Sequence, residues 1–299
     1  TSRSSKSIGR QVTPGPLWSI AKAAYWGGPA NWCRRQVASL DRVLHRARYA
    51  DVQTLLLFIG YPRSGHSLVG SLLSAHRNIV VAHELHALWY VDRRFSVSQI
   101  ESLMWRRDRW FERNSRQWTE FNYTVPGQWQ GRVEQLLVIG DKKGDGVSDL
   151  LHLYPGLLDL VQQQCGDGKR HLKIIHTVRN PFDNIATMSR RTGDPIAWAI
   201  RRHRNRTALN QHIVDRLGPD TVVTIRHEDL IREPYRQIAR LTAHLGVDAP
   251  NEYLGACAGI LYRSPNKSRH TVSWTGRERL AIQRMIDQTE FLNGYSFDD

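Results

Sequence analysis

The sequence predicts an α/β protein of three layers, a central parallel β-sheet flanked by helices. Two segments carry that expectation. Each is an apolar run of strand length, then a short turn containing Pro and Arg, then a helix-like stretch: Thr54 to Leu73 and His171 to Thr187. The third observation is the alternation of further short apolar runs with helix-like stretches. A parallel sheet imposes that order, because each strand must be reached by a crossover.

Residues 1 to about 12 are polar, as loose chain ends are. Residues 16–48 read as helical, with Leu17, Ile20, Ala21 and Ala24, then Val37, Leu40, Val43 and Leu44, near helical spacing and a break at Gly27-Gly28-Pro29. Trp18, Trp26 and Trp32 would suit a helix lying on a membrane surface, but packing against the core is the commoner fate of such a stripe and is the expectation. Residues 1–50 form an N-terminal helical extension on this reading, and 51–299 the main domain. Strands are expected at Leu55 to Gly60, Ile79 to Ala82, Leu136 to Gly140, His171 to Val178 and Thr221 to Arg226.

The turn after the first strand is Gly60-Tyr-Pro-Arg-Ser-Gly65-His66-Ser67. It has the two glycines and the hydroxyl of the nucleotide-binding P-loop, but His66 stands where that loop has the lysine that reaches a β,γ-phosphate chain. A P-loop-like turn without its lysine suits one isolated phosphate. Backbone amides of the turn and of the following helix would hold the anion, and Arg63 and Ser67 add groups that seek phosphate.

Pro62-Arg63-Ser64-Gly65-His66-Ser67-Leu68 resembles the 5′-phosphosulfate loop of the sulfotransferases, usually P-[KR]-S-G-T-[TS]. The spacing onward through Ala75-His76 to Glu84 is similar to that of the tyrosylprotein and Golgi carbohydrate sulfotransferases. The resemblance implies 51–299 to be a sulfotransferase domain, with 3′-phosphoadenosine 5′-phosphosulfate (PAPS) as donor, 3′-phosphoadenosine 5′-phosphate (PAP) as product and no metal. It also implies a second turn for the 3′-phosphate. Arg179-Asn180-Pro181, with Thr187 eight positions after the arginine, resembles that turn, so Arg63, Ser64, Gly65, His66, Ser67, Arg179 and Thr187 are the expected donor-binding residues. Pro181 suits the first turn of a helix and Asp183 its positive end. Ser264-Pro265-Asn266-Lys267-Ser268-Arg269-His270 is similar to a basic segment that closes over the donor, which adds Lys267, Ser268 and Arg269 and would exclude water.

Sulfuryl transfer to an acceptor hydroxyl or amine needs a base and positive charge near the leaving phosphate. Ala82-His83-Glu84-Leu85-His86 follows the second strand; Glu84 matches the catalytic glutamate of the tyrosylprotein enzymes by its distance from Arg63, while cytosolic sulfotransferases use histidine. Glu84 is the expected base, with His83 and His86 as substitutes. Arg63 and Lys142 are the expected cations; Lys143, one position on, is the alternative. Asp141 could instead end a magnesium-binding strand, a reading weakened by the missing P-loop lysine.

The 299 residues, 40% hydrophobic and 23% charged, can bury one large core, and a net charge of +14 implies polyanionic company. The runs 106–109 and 201–206 are expected as solvated arginine-rich helix faces. Cys33, Cys165 and Cys257 have no metal-ligand spacing and suggest no disulfide framework. Sequons stand at Asn122, Asn205 and Asn266, and a glycan at Asn266 would obstruct the donor segment, which points to a cytoplasmic location; the Golgi lumen is the alternative if an anchor precedes Thr1. Aromatic residues between 88 and 135, among them Trp89, Trp105, Trp110, Phe111, Trp118, Phe121, Tyr123 and Trp129, are expected to set acceptor choice, a glycan or small hydroxyl compound, acidic in keeping with the chain's own basicity. No nucleic-acid partner and no membrane span are expected, and oligomeric state is not legible. Competing readings are a P-loop small-molecule kinase and a basic nucleic-acid-binding module.

Overall fold

The computed structural model describes residues 28–118, 120–166 and 170–299. In chain order the elements are α1 Gly28–Leu44, β1 Thr54–Gly60, α2 His66–Ser74, β2 Ile79–His83, α3 Ala87–Asp92, α4 Val97–Arg113, β3 Gln117–Trp118, β4 Phe121–Asn122, β5 Val138–Lys142, α5 Gly144–Leu153 and α6 Gly156–Cys165. They continue as β6 His171–Val178, α7 Pro181–Thr192, α8 Ile196–Leu217, β7 Val222–Arg226, α9 His227–Arg232, α10 Pro234–His244, α11 Asn251–Gly259 and α12 Gly276–Asp287. Strands β3 and β4 form a small antiparallel hairpin. The other five make one parallel sheet in the order β2-β5-β1-β6-β7.

The central strand explains the layers. Leu55, Leu57 and Ile59 of β1 pack on one face with Val80, Ile139 and Ile174 and with residues of α3 to α6. Leu56 and Phe58 pack on the other with α2, α10 and α11. A strand buried on both faces reads as a continuous apolar run, as β1 does. A third cluster, including Tyr61, Val178, Phe182, Ile185 and Ile282, sits under the carboxyl ends of β1 and β6. That end of an open parallel sheet is where ligands bind.

Two expectations shift. The strand expected at Leu136 to Gly140 lies at Val138–Lys142, in register Thr54↔Val138 and His83↔Lys142. Hydrophobicity stops at Gly140, but the buried backbone pairing continues through Asp141 and Lys142, the two residues the site uses. The N-terminal helix does not turn its apolar stripe to the core. Of α1 only Ala38 is buried, while Val37, Leu40, Val43 and Leu44 are exposed. Pro29 stands in the first turn of a continuous helix, where a missing amide costs nothing. The expectations for residues 1–27, with Leu17, Trp18, Ile20, Ala21, Ala24 and Trp26, lie outside the described residues.

Candidate active site

The first turn is anchored from below. Gly60 lies so close to β6 that a Cβ would stand 2.5 Å from the Thr177 carbonyl oxygen. Tyr61 is buried, its ring stacked on His203 at 4.1 Å and its hydroxyl 2.9 Å from Thr207 Oγ1. Ser64 Oγ donates to the Tyr61 carbonyl at 2.8 Å and lies 2.8 Å from Thr177 Oγ1; with one proton already given, it accepts from Thr177. Ser64 therefore shapes the turn. Arg63 is exposed and sits at φ 65°, uncommon for a residue with a side chain. Gly65 takes φ 94°, and a Cβ there would meet His227 Nδ1 at 2.6 Å. The first α2 bond runs from Val69 N–H to the Gly65 carbonyl at 3.1 Å, so the amides before it belong to the class that a helix cannot satisfy internally.

Lys142 supplies from a neighbouring strand the cation that the turn lacks at position 66. Its stem crosses α2 at Gly70, where a Cβ would stand 2.9 Å from Lys142 Cγ. Its Nζ donates to Ser67 Oγ at 2.8 Å and Glu84 Oε1 at 3.0 Å, and lies 3.4 Å from His83 Nε2. The side chain is 1% exposed, and burial pushes its pKa down to about 8 against the pull of Glu84. Lys143 Nζ holds the other oxygen, Glu84 Oε2, at 3.0 Å, so both residues of the uncertain register reach the same carboxylate. Burial would raise the Glu84 pKa, but the two ammonium groups override it and keep the carboxyl well below the usual range.

Asp141 carries the loop that presents Glu84. Its carboxylate oxygens accept from the Leu85 and Ala87 amides, each at 2.8 Å, while the Glu84 amide donates to the Lys142 carbonyl at 3.1 Å. Between these bonds Glu84 and His86 take φ 55° and 64°, strained values that the grip of β5 holds in place. Burial pushes the Asp141 pKa up to about 6 despite the two amides. His83 is buried, stacked on Phe111 at 4.1 Å with Trp118 edge-on at 4.9 Å. Burial and then the Lys142 charge push its pKa down to about 2, so the ring stays neutral. His86 is the N-cap of α3.

The second turn touches the first. Asn180 caps α7 by accepting from Phe182 N–H at 3.0 Å, and its side-chain amide donates to the Ser296 carbonyl at 2.8 Å. Arg179 is buried; Nη1 donates to the Arg63 carbonyl at 3.5 Å and Nη2 to the Asn266 carbonyl, while buried Nε has no partner. One turn along, Asn184 Nδ2 donates to the Pro62 carbonyl at 2.8 Å. Thr187 Oγ1 is also buried without a partner. Buried polar groups are nearly always bonded, so an orphaned guanidinium N–H and hydroxyl on the expected 3′-phosphate pair fit an anion taken up there.

The third segment reaches the same place by different means. Asn266 contributes a carbonyl, Ser268 is buried and Lys267 exposed. Arg269, expected on the donor, instead spends its donors inside the protein. It pairs with Asp183 at 3.0 to 3.1 Å and bonds the Ser296 and Phe297 carbonyls at 2.9 and 3.1 Å. It clasps the segment onto α7, and Asp183 serves as its counter-ion.

Several site residues were not singled out from sequence. His227, at the carboxyl end of β7, abuts Gly65, and burial followed by the Arg179 charge pushes its pKa down to about 4. Its position after a parallel strand was the available signal. Thr177, Asn184 and the gripping role of Asp141 had none. The aromatic residues of 88–135 divide: Phe111, Trp118 and Tyr123 ring His83, whereas Trp89, Trp105, Trp110 and Trp129 lie under arginines. Neither arginine run is wholly solvated. Arg107 donates to the His83 carbonyl at 2.7 Å, Asp108 is buried against Arg116, and Arg206 pairs with Asp149.

Among the described residues no helix is long and apolar enough to cross a membrane. No curated protein matches the chain. Among solved structures, sulfotransferase STF9 from Mycobacterium avium is similar with a TM-score of 0.51 and 12% identity, covering 94% of this chain and 88% of that one. The sulfotransferase domain of the Synechococcus PCC 7002 olefin synthase aligns with a TM-score of 0.48 and 16% identity over 79% of this chain and 94% of that one. Residues 170–251, which hold the second turn with its strand and helix, match the model Sulfotransfer_3, described as "Sulfotransferase family". The sulfotransferases, which both turns resemble, are therefore also the family whose model fits 170–251 and whose fold this sheet shares.

Proposed function

We propose that the protein transfers a sulfuryl group from PAPS to an acceptor hydroxyl or amine by in-line displacement. The observation that carries the reading is the contact between the two turns, with Arg179 Nε and Thr187 Oγ1 buried and unpartnered on the second. The donor, when bound, supplies the sulfuryl group and a phosphate leaving group. The turn Arg63 to Ser67 and the amides opening α2 bind its 5′ end, and Arg179 with Thr187 binds its 3′-phosphate. Lys142, fixed on Ser67, stabilises charge that develops on the leaving oxygen. Glu84 is the proton acceptor; the ammonium groups of Lys142 and Lys143 hold it ionised, and loss of the Lys143 contact on Oε2 would raise its basicity toward that of an ordinary carboxylate. His83, neutral and enclosed, holds Lys142 rather than the acceptor's proton. Arg269 acts through Asp183. The acceptor proposed is a glycan or small hydroxyl compound carrying acidic groups, in keeping with the net charge of +14.

Thermal unfolding with PAP tests this directly, because a ligand bound only by the folded state raises Tm. PAP should raise Tm without magnesium, and Arg179→Ala should abolish the rise while leaving a folded protein. A rise with magnesium and ATP but none with PAP would overturn the proposal. Radiolabelled donor offered to immobilised glycans, phenols and lipids then identifies the acceptor.

A further inference from the structure

Helix α1 is built inside out. Its polar residues face the protein: Arg35 donates to the Arg93 carbonyl at 2.7 Å, Asp41 accepts from Tyr49 and Ser102 at 2.6 and 2.8 Å, and Arg42 pairs with Glu101 at 3.1 Å. Its large apolar residues face outward: Trp32, Leu40, Val43 and Leu44 are 63%, 59%, 72% and 67% exposed, with Val37 beside them. At 100° per residue these five lie within an arc of about 140°. An exposed apolar arc on one helix marks an interaction surface.

Charge selects the occupant. The acidic residue of α1, Asp41, is spent inward, so the arc presents no negative charge. Arg46 follows the helix, and Arg94 comes directly after Arg93, whose carbonyl accepts from Arg35 of α1. Arg46 is exposed and Arg94 half-buried. A second copy of this chain would bring another molecule of net charge +14 against this face, which opposes self-association through it. A bilayer carrying anionic headgroups satisfies both halves: acyl chains accept the apolar arc, and phosphates accept the flanking arginines. We infer that α1 docks the protein flat on an anionic membrane surface through Trp32, Val37, Leu40, Val43 and Leu44. The inference is independent of the donor site.

The test is co-sedimentation of the full chain with phosphatidylcholine vesicles with and without phosphatidylserine. The protein should pellet with the anionic vesicles, less so as salt rises, and little with the neutral ones. The double variant Leu40→Glu/Val43→Glu should bind the anionic vesicles about tenfold more weakly or worse, while keeping its Tm and its stabilisation by PAP. Equal pelleting of variant and parent, or pelleting of neither, overturns the inference. So does a dimer in sedimentation velocity that the same substitutions break, since a second copy would then cover the face.

Discussion

Thr187 Oγ1 and Arg179 Nε have no partner in the free protein, and at Thr187 that separates binding from folding. Thr187→Val keeps the shape and removes a hydroxyl that bonds to nothing. Tm should hold or rise slightly, whereas PAP affinity, measured by titration calorimetry, should fall about tenfold or more, the scale of a lost hydrogen bond to a charged group. Lys142 makes the opposite case, a side chain whose chemistry and stability run against each other. Its pKa is lowered to about 8 from the ordinary 10.5, so between these values the unfolded chain holds more protons than the folded one. Stability linked to this group therefore rises with pH through that window, while kcat/KM for the donor should fall above pH 8 as the ammonium is lost. A pH profile of kcat/KM set beside urea unfolding at the same pH values checks both limbs.

At the level of elements, the end of β5 and the residue after it do three jobs with three consecutive residues. Asp141 grips the β2 to α3 loop, Lys142 links that loop to the first turn, and Lys143 closes the second oxygen of Glu84. Asp141→Ala leaves the Leu85 and Ala87 amides without their acceptor, a loss of about 1–3 kcal/mol for each group that stays buried. Turnover should drop far more than PAP stabilisation, because the two turns proposed to hold the donor hang from β1 and β6; equal losses would deny Asp141 its gripping role. This strand also shows what sequence reading sees. The apolar runs that mark β1, β2 and β6 are buried on both faces, so hydrophobicity reported them. The last two residues of β5 are charged, and backbone pairing with β1 and β2 together with their side-chain bonds keeps them in the sheet. Periodicity in α1 revealed a stripe but not its direction, since the side that meets the core is decided by Glu101, Tyr49 and Ser102 elsewhere in the chain. The turns were legible because each strand, turn and helix is contiguous in sequence. The pairing of Arg269 was not legible because its counter-ion, Asp183, stands 86 residues away.

Across the whole molecule, acid should be the weak side. His83, His176, His203 and His227 are held neutral by burial, with pKa values lowered to about 2, 3, 3 and 4 from the ordinary 6.5. Once unfolded they take up protons below 6.5, so the associated stability is complete above that pH and is lost as pH falls toward the folded values. Each group contributes roughly 1.4 kcal/mol per pH unit through the steep part of that range. Urea unfolding from pH 7 to 5 should show free energy falling with a slope of several protons, and a flat profile would mean that these rings are not buried in solution.

The candidate site draws its walls from distant parts of the chain. Asn180 and Arg269 both seat on the carbonyl of Ser296, and Asn180 also meets Asp299. During synthesis the N-terminal strands emerge first and can begin to pair, but these bonds cannot form while residues 296–299 are still inside the ribosome. A nascent chain can thus complete its sheet, whose last strand ends at Arg226, and still lack the contacts that seat Asn180 and Arg269, so the bracing of the second turn forms well after the strand that carries it.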